Sequence, residues 1–340
     1  MKSVNKKILI KPKYKKLLDD IGFTIATARE HAAKIINREL VKANWEIGRH
    51  IVKYEQGGEE RAEYGSELLV SLSKDLKQRY GTGFGRRNVL DMRRFYITYK
   101  KWQTVSAKLS WSHFIVLMGV SDGIARTFYE RQSINENLSV RELERQINSC
   151  LFERLALSKD KKGVLELSKK GHIISNATEA IKDPYVLDFL KIPQSYRMTE
   201  KALEQKLIDQ LQMFLLELGK GFAFVARQYR ISLRNKHYHL DLVFYHRILK
   251  CFILIDLKTK SVTHGDIGQM NLYLNYFKKE ENMPDDKDPI GIILSTEKDE
   301  ILVEYATGSI SNKIFVSKYQ LYLPDKKQLQ RKLKSILQKT

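Results

Sequence analysis

Two adjacent stretches decide the fold of the second half of this chain: HLDLVFY at residues 239–245 and KCFILIDLK at residues 250–258. Both are rich in residues that favour β-strands, and the short segment between them predicts a β-hairpin. Because side chains alternate between the two faces of a strand, Asp256 and Lys258 should share one face. Asp241 has apolar neighbours on the first strand and can meet Asp256 across the ladder. The hairpin is therefore expected to aim two carboxylates and a lysine at one place.

These charged residues end an otherwise apolar hairpin, where burying charges without partners is costly. A divalent metal would supply a partner, since Mg²⁺ is typically held by one or two carboxylates and substrate phosphates. We expect Mg²⁺ or Mn²⁺ to bind Asp241, Asp256 and the backbone carbonyl of Leu257. Lys258, desolvated near the metal, should have a lowered pKa and would orient or deprotonate a water or neutralise the transition state. The alternative is a structural salt bridge between Asp256 and Lys258.

The segment before the hairpin, residues 200–218, predicts one amphipathic helix. Its apolar residues recur at the spacing of one helix face: Leu203, Leu207, Ile208, Leu211, Phe214, Leu215 and Leu218. At about 100° per residue, Glu204 falls within this stripe, whereas Asp209 falls opposite it and Glu217 lies off it. Glu204 is the acid expected to face the core, where it would hold a second metal or order its water shell. A further helix, residues 266–278, carries Gln269 in its first turn.

This order of elements resembles the PD-(D/E)XK nuclease fold, and the local sequences resemble the YhcG family of bacterial nucleases. The segments that resemble its C-terminal domain are FLLELGKGF at 214–222, DLVFY at 241–245, IDLK at 255–258 and GQM at 268–270. Those that resemble its N-terminal domain are NWEIG at 44–48, MRRFY at 92–96 and LSWSH at 109–113. The resemblance covers nearly the whole chain. It departs from the commonest superfamily pattern at Asp256, where Glu often stands.

The resemblance implies a fold class and an activity. The fold class is α+β, with an all-α, helix-turn-helix-like N-terminal domain followed by an α/β mixed-sheet, restriction-endonuclease-like domain. The implied activity is metal-dependent hydrolysis of DNA phosphodiester bonds, in defence against foreign or mobile DNA or in its processing. Gln269 would fix the water or a phosphate. The expected catalytic set is Asp241, Asp256, Lys258, Glu204 and Gln269, with Asp241, Asp256, Glu204 and the Leu257 carbonyl as metal ligands.

Composition points to a polyanionic partner. The 340 residues include 60 Lys and Arg against 40 Asp and Glu, a formal net charge of +20. Such a balance favours nucleic acid, here DNA, and the sequence lacks the run of roughly 20 apolar residues that a membrane span needs. The two cysteines, Cys150 and Cys251, indicate neither a disulfide framework nor a cysteine metal site, so we expect a cytoplasmic protein. A homodimer or an accessory protein partner is compatible with the sequence.

We predict three parts: a helical targeting or interaction domain (residues 1–156), a linker with a connecting helix (157–192) and a nuclease domain (193–340). Residues 1–14 form a basic leader. Residues 17–55 predict a helix with the following core candidates: Ile21, Ile25, Ala32, Ile35, Ile36, Leu40, Trp45, Ile47 and Ile51. Residues 185–190 predict a short helical piece.

A basic helix follows a glycine-rich turn in the first domain. Residues 68–80 predict a helix, GTGFG at 81–85 a turn, and residues 86–101 a second helix bearing Arg86, Arg87, Arg93 and Arg94. This resembles a helix-turn-helix, whose second helix can enter a DNA groove, but a solvated basic face over an aromatic core is equally compatible. In the second domain the residues that could hold a phosphate backbone are Arg227, Arg230, Arg234, Lys236, Arg247 and Lys260.

Two other functions compete with the nuclease. One is a non-catalytic DNA-binding or assembly protein that keeps the fold. The other is a structural RNA-binding protein, which fits the charge but leaves the acidic cluster unexplained. The sequence does not distinguish single-stranded DNA, duplex DNA, DNA junctions and RNA as the substrate.

Overall fold

The computed structural model describes residues 12–57, 64–101, 108–157, 159–174, 176–182, 184–193, 198–297, 299–307 and 310–338. Most of the leader predicted at residues 1–14 lies outside them. The chain divides into two compact units, one ending at Ser121 and the other beginning at Asp122. In the described part of the chain, every helix is too short or too polar to cross a bilayer.

The first unit is helical throughout its described residues. Its elements are α1 (Pro12–Gly57), α2 (Tyr64–Tyr80), a 3₁₀ turn (Thr82–Phe84), α3 (Arg86–Thr98) and α4 (Trp111–Met118). The second half of α1 packs closely on α3: a Cβ placed at Gly48 would lie 2.0 Å from the carbonyl oxygen of Met92. Only glycine permits this approach. The Trp45 indole donates a 2.6 Å hydrogen bond to the carbonyl of Tyr99 and fixes the same contact.

The first half of α1 differs from the prediction. Every residue from Tyr14 to Ile36 is exposed, including the predicted core residues Ile21, Ile25, Ala32, Ile35 and Ile36, and Leu40 is exposed as well. Trp45 and Ile51 are buried as predicted, and Ile47 is partly buried. A helical period identifies an apolar stripe, but it does not say whether another element of the chain covers that stripe.

The second unit contains a helical part and a mixed sheet. Its helices are α5 (Gly123–Glu136), α6 (Val140–Asn148), α7 (Leu151–Ala156), α8 (Lys161–Lys170), α9 (Ala177–Ala180), α10 (Glu200–Asp209), α11 (Leu211–Leu218), α12 (His264–Tyr276), α13 (Glu300–Thr307) and α14 (Lys326–Gln338). Its strands are β1 (Tyr185–Val186), β2 (Phe222–Leu233), β3 (Lys236–His246), β4 (Cys251–Leu257), β5 (Ile290–Ser295) and β6 (Lys313–Gln320). A 3₁₀ turn (Asp188–Leu190) follows β1, and a π-helical turn (Phe277–Glu281) follows α12.

The described strands form one sheet in the order β1-β6-β5-β4-β3-β2. The pairs β2–β3 and β3–β4 are antiparallel, as the hairpin predicts, and β4–β5, β5–β6 and β1–β6 are parallel. Each face of the sheet carries a hydrophobic layer. Leu203, Leu207 and Phe214 of α10 and α11 cover one face, and Ile267, Met270 and Leu274 of α12 cover the other. This mixed sheet with helices on both faces confirms the predicted fold class.

Two local predictions need correction. The helix predicted over residues 200–218 is two helices, because Gln210 leaves helical geometry with φ −120° and ψ 37°. Residues 185–190, predicted as helical, begin with a strand: β1 pairs in parallel with β6, with Tyr185 opposite Tyr319. The predicted linker, residues 157–192, contains α8, which buries Val164 and Leu167. Local sequence patterns could not reveal these long-range contacts.

The helices α5, α6 and α7 belong to the second compact unit, whereas the sequence placed them in the first domain. A buried ion-pair network contacts α6, α7 and α11. Arg154 of α7 lies 3.0 Å from Glu217 of α11, and Arg145 of α6 lies 3.4 Å from the same carboxylate. These contacts join the helical part to the sheet layer. The domain boundaries at residues 156 and 192 remain a prediction.

Candidate active site

The hairpin β3–β4 brings the predicted carboxylates to the end of its ladder. The last paired residues are Leu242 and Ile255, so Asp241 and Asp256 are the next residue on each strand. Asp241 accepts a 2.8 Å hydrogen bond from the backbone amide of Leu257. Two acidic residues therefore meet where the two strands separate, at an edge of the apolar core.

Asp256 and Lys258 form an ion pair on one face of β4. The Lys258 Nζ lies 2.7 Å from Asp256 Oδ2, and the side chain of Asp256 is 8% exposed. Lys258 also lies 3.5 Å from Asp266 in the first turn of α12. The shared face that strand alternation predicted is confirmed. Asp266 was not among the predicted site residues, although Thr263 and Asp266 have the spacing of a capping box, which the structure forms.

The negative charge around Asp241 is in excess. Burial, together with the nearby charges of Asp256 and Glu204, raises the pKa of Asp241 to about 7, although the Leu257 amide and Lys258 oppose this effect. Each further negative charge in a desolvated site disfavours ionisation of its neighbours. A bound cation would offset this repulsion.

Glu204 joins the site through a residue that the sequence analysis did not select. Glu204 is buried on the inner face of α10, as its position in the apolar stripe predicted, and Asp209 is exposed. The Nε2 atom of Gln228 lies 2.6 Å from Glu204 Oε2 and 3.0 Å from Asp241 Oδ1. One amide thus links the helix acid to the hairpin acid.

Gln228 reaches both acids from an unusual backbone conformation. Its φ of 45° lies in the left-handed region, which non-glycine residues occupy at a cost and often at functional sites. The register places it across from Asp241, between Arg227 opposite Leu242 and Tyr229 opposite Leu240. In the sequence, Arg227 and Gln228 separate the two runs of strand-forming residues in β2. This pattern did not reveal where the Gln228 side chain would point.

The lowered pKa expected for Lys258 beside a bound metal stays a prediction. Burial by itself lowers this pKa, but the negative charges of Asp256, Glu200 and Asp266 outweigh burial and raise it above its usual value. Lys258 is therefore a firmly charged ammonium group here, suited to binding an anion rather than to accepting a proton.

Gln269 lies beside the site on α12 but contacts another residue. Its amide donates a hydrogen bond to the Tyr273 hydroxyl, and that hydroxyl donates a 3.1 Å bond to the carbonyl of His239. The charges of Asp256, Lys258 and Asp241 all affect the pKa of Tyr273, which burial raises. Gln269 and Tyr273 are thus close to the acids without binding them. Since α12 begins at His264, Gln269 stands in its second turn.

Two family profiles match this chain. One, described as the YhcG PDDEXK nuclease domain, matches residues 178–334, and one described as the DUF1016 N-terminal domain matches residues 20–154. The chain is also 38% identical over 348 aligned positions to an Escherichia coli (strain K12) protein named "Putative nuclease YhcG". That match covers 93% of this chain and 92% of the relative.

The chain belongs to the YhcG family. The family resemblance noted in the sequence is confirmed, and the PDDEXK domain of the YhcG family contains the hairpin, α10 and α12 described above.

Solved structures give weaker similarity. A repair endonuclease from Pyrococcus abyssi aligns with 39% of this chain at 15% identity and a TM-score of 0.27. The EndoMS–dsDNA complex aligns with 40% at 13% identity and a TM-score of 0.26. The chain covers about half of each, 50% and 51%. The fold assignment to the YhcG family rests on the strand order and the family match.

The donor chemistry of the site fits a divalent cation of the kind that binds carboxylates. Asp241 and Asp256 offer carboxylate oxygens at one end of the ladder, and burial together with the charge of Asp256 raises the pKa of Asp241. Among the described residues, however, no three His, Cys, Asp or Glu side chains are grouped closely enough to hold a metal ion. A site of two carboxylates completed by a backbone oxygen fits better than three acids, and the ligand role of Glu204 remains a prediction.

Glu217 is buried, contrary to its predicted position off the apolar stripe. The break at Gln210 changes the phase of α11 and turns this carboxylate inward. Burial alone would raise its pKa, but Lys182, Arg154 and the Val186 amide lower it. Glu217 belongs to a network of ion pairs with Arg145 and Arg154. Asp241 is not a member of this network, so we assign Glu217 a structural role.

The predicted basic residues occupy different environments. Arg86 and Arg87 are exposed at the start of α3. Arg93 pairs with Glu55 at 2.8 Å, and Arg94 donates to the carbonyl of Met118, so these two stabilise the first unit. The basic residues predicted near the hairpin are all exposed: Arg227, Arg230, Arg234, Lys236, Arg247 and Lys260.

Proposed function

We propose that this protein is a metal-dependent endonuclease that hydrolyses DNA phosphodiester bonds. The observation that carries the proposal is the meeting of Asp241 and Asp256 at the end of the β3–β4 ladder, with Lys258 beside them. Membership of the YhcG family, whose profile is described as a nuclease domain, supports it. The exposed arginines around the hairpin provide charge for the phosphate backbone.

In this proposal Asp241 and Asp256 hold Mg²⁺ or Mn²⁺, and the Leu257 carbonyl completes the protein ligands. When bound, the metal supplies positive charge for the scissile phosphate and lowers the pKa of a bound water. Lys258 places its ammonium group against the developing negative charge. Glu204, held by Gln228, orients Asp241. Gln269 and Tyr273 lie on the α12 side, where their polar groups can position the substrate or a water.

A nicking assay tests the proposal. Supercoiled plasmid is incubated with the full chain in Mg²⁺, in Mn²⁺ and in excess EDTA. We expect nicking with either metal and none in EDTA, and we expect Asp256→Ala to abolish nicking while DNA binding persists. Asp209→Asn is the matched control, because this exposed carboxylate lies on α10, the helix of Glu204, without joining the site. Wild-type activity that survives EDTA would refute a metal-dependent reaction.

A second function has one observation in its favour. Each acid of the site already has a protein donor: Lys258 for Asp256, Leu257 for Asp241 and Gln228 for Glu204. Such a network can be stable without a metal, as in a DNA-binding protein that keeps the fold but not the chemistry. DNA binding without cleavage in either metal would favour this second function.

A further inference from the structure

The first half of α1 is a helix without a covering element among the described residues. Every residue from Tyr14 to Ile36 is exposed, and the exposed set includes several large apolar side chains. Those with the largest apolar surfaces are Leu17, Leu18, Ile21, Phe23, Ile25, Ile35 and Ile36. An isolated helix gains little stability from propensity alone, and exposed apolar patches of this extent mark interaction surfaces.

The apolar residues follow a heptad rather than a simple helical period. Counting from Tyr14, they recur at alternating intervals of four and three residues: Tyr14, Leu18, Ile21, Ile25, Ala28, Ala32 and Ile35. We call this row the α1 seam. This spacing is the pattern of a two-stranded coiled coil, in which alternating positions form the contact between helices. Phe23, exposed to 75%, lies outside the seam on another face of the helix.

We propose that the α1 seam forms an antiparallel two-stranded coiled coil with the α1 seam of a second copy of this chain. Side-chain volumes favour the antiparallel direction. It pairs Ile21 with Ala32, Ile25 with Ala28 and Leu18 with Ile35, so a large residue meets a small one in the central layers. A parallel pair would place Ala28 and Ala32 each against itself and leave gaps between the helices.

The contact is large enough for a dimer. Full burial of one Leu or Ile side chain removes roughly 60–120 Å² of apolar surface from water. The seam and its flanking residues Leu17 and Ile36 contribute six such side chains from each copy. Together they bury on the order of 1,000 Å², which reaches the lower limit of about 1,000 Å² for a specific interface.

Light scattering and sedimentation of the full chain test the proposal. We expect a mass of twice 39.7 kDa for the wild type. Ile21→Asp with Ile25→Asp should weaken dimerisation at least about a hundredfold, since it buries unpaired charges in the seam. The control Phe23→Asp with Thr27→Asp adds the same charge to the same helix off the seam and should leave the dimer unchanged. These side chains are exposed in one chain, so both variants should fold, and a cooperative thermal transition of each checks this.

Disulfide cross-linking tests the direction. In the antiparallel pair, residue 18 of one copy lies roughly 25 Å along the axis from residue 18 of the other, beyond the reach of a disulfide. Leu18→Cys alone and Ile35→Cys alone should remain uncross-linked, and the double variant should cross-link. The native Cys150 and Cys251 are buried and do not compete. A monomeric wild type, a dimer that survives Ile21→Asp with Ile25→Asp, a larger assembly, or cross-linking of Leu18→Cys alone would each overturn the proposal.

Discussion

The side-chain amide of Gln228 lies 2.6 Å from the carboxylate of Glu204, and the same nitrogen reaches Asp241. This contact places one hydrogen-bond donor between two acids. Gln228 makes it from a left-handed backbone conformation that costs energy.

Gln228→Ala removes the shared donor and leaves the two carboxylates uncompensated. We expect a lower unfolding temperature in EDTA and a larger rise on addition of Mg²⁺ than in the wild type, because a bound cation would replace the lost donor. Thermal unfolding with and without Mg²⁺ measures both. The control is Gln205→Ala, whose amide bonds to the exposed Asp209. Equal Mg²⁺-induced shifts in wild type and Gln228→Ala would contradict the prediction.

Glu204→Gln should reduce the initial nicking rate by about tenfold to a hundredfold, the usual effect of removing a group that orients a metal ligand. The amide keeps the shape of the side chain but removes its charge. Asp209→Asn, five residues further along α10 and exposed, should change the rate little. The comparison is made at matched protein concentration and saturating Mg²⁺. An inactive Asp209→Asn with an active Glu204→Gln would show that the site residues are wrongly assigned.

Glu217→Gln should affect stability rather than chemistry. It removes one member of a buried network in which Arg154 lies 3.0 Å and Arg145 3.4 Å from the carboxylate. Breaking a buried ion pair typically costs about 3–5 kcal/mol in the free energy of unfolding. Urea unfolding measures this loss, with Glu166→Gln in an exposed pair as the control. The nicking rate per folded molecule should stay close to that of the wild type; a normal stability with a lost rate would point to a catalytic role.

Asp241 predicts a pH dependence of stability in metal-free buffer. Its pKa is about 7 in the folded protein against an ordinary 3.8. Between these values the folded state holds a proton that the unfolded state has released, so the free energy of unfolding falls as the pH rises through this window. One pKa unit corresponds to about 1.4 kcal/mol, so the loss between pH 4 and pH 8 should reach a few kcal/mol. Asp241→Asn should lack this pH dependence. The same change in the free energy of unfolding with pH in the wild type and in the variant would refute the prediction.

Arg86→Gln with Arg87→Gln tests the basic start of α3. If both side chains contact phosphates, the variant should bind DNA more weakly, and the slope of log affinity against log salt should lose about 0.9 per contact. Lys161→Gln with Lys162→Gln removes equal charge from exposed positions of α8 and serves as the control. Equal slopes in the wild type and both variants would show that Arg86 and Arg87 do not contact phosphates.

The hairpin and its acids could be predicted because strand alternation and burial are local properties. The pattern of residues 239–258 specifies the β3–β4 pairing, the shared face of Asp256 and Lys258, and the position of Asp241. Glu204 was also accessible, since a helical period of one short segment gives its face. These are the parts of the site that depend on no distant contact.

The remaining features depend on contacts between distant segments. Gln228 joins the site through a left-handed conformation that its own sequence does not require. Glu217 turned inward because Gln210 interrupts the helix, and its partners Arg145 and Arg154 come from a region assigned to another domain. The raised pKa of Lys258 likewise results from acids on three separate elements. Periodicity cannot supply such information.

The pairing of β1 with β6 has a consequence for how the second unit is made. Tyr185 lies opposite Tyr319, and β1 contributes only two residues to the edge of the sheet. Pairing β1 with β6 closes a loop that contains most of the second unit. Closing it costs conformational entropy before the strand contacts form, and topologies with such distant pairings fold slowly. During synthesis, β1 emerges well before its partner and must wait for residue 320. A chain stopped before β6 would therefore expose the parallel edge of β5, and premature termination should yield a product prone to aggregation rather than a smaller folded nuclease domain.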